Sequence, residues 1–260
     1  LTDSTRAGCY ASTMTVILQQ AIPYDPLAQN PLPGIKPADP RAWLHRDDAF
    51  SAQMQRRAAL LAQQKPDVLA QSPEALAPAQ ELLELVIQQV YPNVSDNVVR
   101  PDGVRVEVDR ERPLETLCHL VQEDFCILQK HDDEHVLTGA ILCFPASWML
   151  SEKFMRPLIG IHEPVDAYDA SIARRVQRLF DGIQPNRPLW RFNALWYNDA
   201  ELFQPRSLMQ RRTPQDENSA RYLRSERQTL LRLPETNAVV FAIHTYVMAA
   251  DQVLKMENPA

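Results

Sequence analysis

Residues 124–144 read Asp124-Phe-Cys-Ile-Leu-Gln-Lys-His-Asp-Asp-Glu-His-Val-Leu-Thr-Gly-Ala-Ile-Leu-Cys-Phe144, and this stretch decides the fold. Asp124 to Lys130 and His135 to Phe144 are apolar runs of strand length. The polar His131 to Glu134 between them reads as a turn, so the whole is a hairpin. Helical patterns follow over Ser151 to Gly160 and Asp169 to Ile183. Three more strand-like segments come next: Leu189 to Asn198, Arg224 to Leu233 and Ala238 to Met248. Pro234-Glu-Thr-Asn237 joins the last two as a second hairpin.

Two strands, helices, then three strands is the element order of a PAS domain. The expectation is an α/β (α+β) protein with a PAS-like, five-stranded, mainly antiparallel sheet. Helices are also expected upstream. Phe50, Met54, Ala58 and Leu61 recur at helical spacing within Asp47 to Gln64. Ser72 to Tyr91 starts with an N-cap serine and Pro73 at the first helical position. Pro113 to Gln122 reads as a short third helix. The chain has 21 Pro against 6 Gly, and the Pro residues crowd into 22–40. That segment is expected to be an extended, ordered arm whose Ile, Tyr and Leu side chains dock on a surface. Gln210 to Ser219 reads as a polar, mobile loop. The expected organisation is one domain over 14–260, with the arm at 22–40 and the PAS-like core at about 104–250.

Composition narrows the function classes. A net charge of −6 and a pI near 5.6 argue against nucleic-acid binding, which needs clustered Lys and Arg. The Arg residues are scattered among acids and suit ion pairs or carboxylate recognition. No apolar run reaches the roughly 18 residues of a membrane span. Cys9, Cys118, Cys126 and Cys143 form no C-x-x-C or C-x-x-C-H pattern, which removes zinc ribbons, thioredoxin-like sites and covalent haem attachment. A reduced, cytoplasmic location is the expectation. Leu1 to Thr13 lacks the basic and apolar regions of a signal peptide, and Met14 reads as a candidate native start.

Several strings resemble one family. They are Met155-Arg-Pro-Leu-Ile-Gly-Ile-His162-Glu-Pro-Val165, Arg224-Ser-Glu-Arg-Gln-Thr-Leu-Leu-Arg-Leu-Pro234 and Phe241-Ala-Ile-His-Thr-Tyr246. Arg191-Phe-Asn193 and Gln122-Glu-Asp124 add two shorter ones. In this order, over about residues 20–250, they resemble the haem-dependent oxidative N-demethylases. The resemblance implies haem b in a PAS-like fold, a small alkylamine substrate and O2. It also implies electrons from a separate NAD(P)H-dependent flavin/iron–sulfur reductase subunit. The chain departs from the family pattern at His244, where Arg is expected, and at Ala194, where an aromatic often follows the Asn.

His162 is the expected axial iron ligand. It follows a helical stretch and precedes Pro164, between the second and third strands; the bland reading is a histidine at a helix C-terminus. His119, in a short amphipathic helix, is the competitor. His45, His131 and His135 lie in polar settings and read as surface residues. His244 and Tyr246 share a strand face, His244 as a candidate cofactor contact and Tyr246 as a candidate catalytic group. Arg191 and Asn193 share a face with Leu195 and Tyr197, opposite Trp190, Phe192, Ala194 and Trp196. That polar face is either solvent-facing or a pocket wall, with Arg191 on a haem propionate.

Arg224, Glu226 and Gln228 alternate with Ser225, Arg227 and Thr229. This is either a charged edge strand or a pocket wall, with Glu226 for a cationic amine and Arg224 or Arg227 for a propionate. Asp169 reads as a helix cap, and Arg174, Arg175 and Arg178 as a solvated basic face. The chain has no G-x-G-x-x-G, P-loop, G-x-S-x-G or H-E-x-x-H motif. The rival to an enzyme is a non-catalytic haem- or small-molecule-sensing PAS-like module.

Overall fold

A computed structural model describes residues 16–28, 34–94, 96–158, 170–210 and 219–257, with side chains omitted for 170–174 and 256–257. In chain order, a two-residue strand β1 (Lys36–Pro37) precedes helices α1 (Phe50–Gln63) and α2 (Lys65–Val68). Strand β2 (Leu69–Gln71) and a 3-10 turn (Pro73–Ala75) lead into α3 (Leu76–Val90). A small hairpin, β3 (Asn97–Val99) and β4 (Arg105–Glu107), is followed by α4 (Pro113–Leu120). Then come β5 (Asp124–His131), β6 (Glu134–Ile141), α5 (Leu150–Lys153), α6 (Ala170–Gly182), β7 (Leu189–Tyr197), β8 (Tyr222–Arg232), β9 (Val239–Ala249) and α7 (Ala250–Glu257).

The main sheet runs β1-β7-β8-β9-β5-β6-β2, and every neighbouring pair is antiparallel. The five long strands are those expected, within a few residues. The sheet has seven strands because β1 and β2 add short edges. Neither carries an alternating apolar pattern, so periodicity could not reveal them. The β3–β4 hairpin and α7 were likewise not anticipated.

The helix expected over Ser151 to Gly160 is corrected: α5 is a single turn. Pro157 disfavours helical backbone at the residue before it. Met155 adopts φ 59°, and the chain leaves the helix to bridge Val136 to Pro157. Residues 159–169, which include His162, Asp166, Tyr168 and Asp169, lie outside the described residues. So do Cys9, Met14 and most of the 210–219 loop. Among the described residues, no helix is long and apolar enough to cross a membrane.

Strand alternation gives the sheet two buried faces. On one, Phe125, Ile127, Leu231, Val240 and Ala242 meet Leu60, Leu82, Leu83, Val86 and Leu117 of α1, α3 and α4. On the other, Cys126, Leu128, Leu137, Leu230 and Ile243 meet Leu150, Leu158, Phe180 and Ile183 around α5 and α6. The arm lies on the first face at its β7–β8 end, where Ile22 packs with Leu223, Tyr246 and Met248. Tyr24 stacks on Phe192 at 4.6 Å and hydrogen-bonds Ser225 at 2.9 Å. The docking expected for the arm's Ile and Tyr is therefore present.

One buried ion pair joins the helices to the sheet. Arg57 of α1 is fully buried and donates to Asp124 at 2.5 Å and to the carbonyls of Cys118, Gln122 and Glu123. Asp124 also accepts the backbone N–H groups of Cys143 (2.8 Å) and Phe144 (2.7 Å). Removing one member of such a pair leaves a buried charge uncompensated. Arg57→Met should therefore lower unfolding free energy by about 3–5 kcal/mol, measured by urea denaturation. A loss below about 1 kcal/mol, the scale of an exposed pair, would contradict this role.

Candidate functional site

Between the second sheet face and α5–α6 lies a cavity of about 340 Å³, within the size range of small-molecule sites. Leu128, Leu137, Leu158, Leu179, Phe180 and Phe241 make most of its wall apolar. Its polar lining comes from Lys153, Arg191, Asn193 and Gln228, with the Cys126 thiol in the floor.

Register explains how the polar residues converge. Arg191 of β7 pairs directly with Gln228 of β8, and Asn193 with Glu226. All four therefore point to the same side, with Leu189 and Leu230 of the second core. Of the two readings of the Arg191–Asn193 face, the pocket wall is the one found. Glu226 is buried one layer behind the lining. Its Oε2 accepts Asn193 Nδ2 (3.3 Å) and Gln228 Nε2 (3.2 Å), while Arg224 approaches its Oε1 at 3.7 Å. Arg224 is itself anchored on the carbonyls of Leu202 (2.9 Å) and Phe144 (2.6 Å). With Nε2 committed to Glu226, the Oε1 of Gln228 is the acceptor left toward the cavity.

Arg191 differs from the buried cations of β8 and β9, each of which meets an acceptor. No acceptor meets it among the described residues, and its Nε is buried without a partner. Burial alone pushes its pKa down. A half-buried guanidinium with unfilled donors, in an apolar slot, is a receptor for an anion on an otherwise apolar molecule.

Three candidates lie across the sheet from this cavity. Arg227 faces the arm, donating to the Trp43 carbonyl (3.2 Å) and Thr229 (2.8 Å) and lying 4.9 Å above the Trp190 ring. Tyr246 hydrogen-bonds His45 at 3.0 Å. His244 is held between Glu123 and Asp47, each at 3.0 Å. Arg227, His244 and Tyr246 therefore lie on the face opposite this cavity. Successive residues of β8 and β9 point to opposite faces, and these three take the arm side. Between the two arginines left open, Arg224 is the one on the cavity face.

The histidines also sort by position. His119 is in α4, beside Glu107, Asp109 and Glu115, under the other core. His131 pairs with Glu74 at the surface. His45 and His135 are not surface residues. Burial, with the charges of Arg227 and His244, holds the His45 pKa down at about 4. His135 is buried against Phe180, its Nδ1 2.8 Å from Gln177. Among the described residues, no group of three or more His, Cys, Asp or Glu could hold a metal ion. Lys153, Trp148 and Cys126 were missed as lining residues. Nothing in their local pattern separates them from the ordinary flanks of a short helix or a core strand.

A family model described as haem-dependent oxidative N-demethylase, alpha subunit-like, matches residues 34–260. The match takes in the described cavity lining and every candidate residue named above.

His244 generates a pH prediction. Burial lowers its pKa, but the hydrogen bonds it donates to Asp47 and Glu123 outweigh burial and hold it at about 9. A raised folded-state pKa contributes stability that is complete below the ordinary value of 6.5 and lost as pH rises through about 9. The gap is worth about 3 kcal/mol. Urea unfolding of wild type and His244→Gln should differ most near pH 6.5, and the difference should shrink by pH 10. A difference independent of pH would refute the charged state assigned to His244.

Proposed function

For a chain that belongs to the haem-dependent oxidative N-demethylase, alpha-subunit-like family, we propose a monooxygenase that removes a methyl group from a small alkylamine and releases it as formaldehyde. The observation that supports this most is the apolar cavity carrying an unpartnered Arg191 beside a polar cluster built on Glu226. An apolar slot with a free guanidinium fits haem b, whose macrocycle is apolar and whose propionates are carboxylates. We place it there, in a core of PAS-like element order.

Bound in this cavity, haem would supply O2-activating redox chemistry, with electrons from a separate NAD(P)H-dependent flavin/iron–sulfur reductase. An alpha-subunit-like chain fits an arrangement in which a partner subunit carries that reductase. The chain's own residues have defined tasks. His162, four positions beyond the cavity residue Leu158 in sequence, would hold the haem iron in this proposal. Arg191 holds a propionate through charge-assisted hydrogen bonds. Gln228 Oε1 accepts a hydrogen bond from the alkylammonium, and the Glu226 carboxylate behind it supplies the opposite charge. Asn193 and Gln228 fix the Glu226 carboxylate, and Arg224 prevents it from turning away. Leu128, Leu137 and Phe241 exclude water, which strengthens each of these polar contacts.

Glu226→Gln tests the proposal. The variant keeps the shape but removes the charge, and the amine KM should rise, or kcat fall, by roughly tenfold at unchanged haem content. Formaldehyde release with a supplied reductase is the assay. Unaltered kinetics would remove Glu226 from the account. Haem binding without any turnover of alkylamines would leave the sensor module as the function.

A further inference from the structure

Arg191 is not the only cation in the cavity without an acid. Lys153, at the end of α5, lines the same space. Its side chain is mostly withdrawn from solvent, which lowers the pKa of its amine. A lysine in this position normally either extends its amine to water or meets a carboxylate. Here the amine lies 4.9 Å above the Trp148 ring, and no carboxylate is within ion-pair distance among the described residues. The neighbouring acid is engaged elsewhere: Glu152 accepts Ser207 Oγ at 2.7 Å and the Leu208 N–H at 2.9 Å. Glu226, the acid behind the lining, is held by Arg224, Asn193 and Gln228.

The cavity therefore presents two cations, on α5 and on β7, with no anion among the described residues to neutralise either. Burying both charges is costly unless an occupant supplies the counter-charges. We infer that Lys153 is a second anion anchor, so that the cavity selects an apolar ligand with two carboxylates, one on Arg191 and one on Lys153. Trp148 holds the Lys153 amine in place through the ring face. The inference deepens the haem reading and rests on it: the two carboxylates are the two propionates.

The test is titration of the full-length apo protein with haemin and with haemin dimethyl ester, whose propionates are capped, followed at the Soret band. Wild type should bind haemin more tightly than the ester. Lys153→Met keeps the apolar stem and removes the charge. It should weaken haemin binding about tenfold or more and leave ester binding unchanged, and Lys153→Arg should restore the preference for haemin. Equal losses for haemin and ester, or no loss with either, would overturn the role of Lys153 while the haem reading stands. No saturable Soret change in wild type with either probe would overturn the haem reading, and this inference with it.

Discussion

The Arg57–Asp124 pair is the interaction on which the remaining architecture depends. It is fully buried, and each partner also satisfies backbone groups at the end of another element. From Asp124 a polar thread continues through the sheet end. Phe144 donates its N–H to Asp124 and accepts Arg224 on its carbonyl, and Arg224 then faces Glu226. The charge of Glu226 is thus tied, by four consecutive contacts, to a helix on the other side of the sheet. Such a thread is costly to break anywhere along its length, because each member is buried.

The two faces of β7–β9 handle charge in opposite ways. On the arm side, His244 sits between two carboxylates, and Gln19 and Gln122 complete the shell around Asp47. His244 occupies the position where the resemblance leads one to expect Arg. An imidazolium between Asp47 and Glu123 supplies the cation that the arginine would have carried. On the cavity side, Arg191 and Lys153 have no such shell among the described residues. That contrast with His244 is what supports the proposed role of the two cations as anion anchors.

Much of this was legible in the residues. The five long strands and their order followed from apolar runs and two polar turns. Period-two alternation put Arg191 and Asn193 on one face of β7 but left open whether that face met solvent or a pocket. The same alternation could not say which face of β8 was inward, so Arg224 and Arg227 stayed undivided until the register with β7 and β9 was seen. His244 and Tyr246 were grouped because they share a strand face; nothing local told that their strand turned them toward the arm. Lys153 and Trp148 carried no signal, since a lysine at the end of a short helix is ordinary. Its isolation is a property of tertiary packing, in which Glu152 turns to Ser207 and Glu226 is already held.

The proposed ligation of haem by His162 is the central point to test. The most direct measurement is the visible spectrum of haemin-reconstituted wild type, His162→Ala and His119→Ala. The account predicts a Soret band in wild type, its loss or shift in His162→Ala, and a wild-type spectrum in His119→Ala. An unaltered spectrum in His162→Ala would contradict the account and turn attention to the Cys126 thiol in the cavity floor.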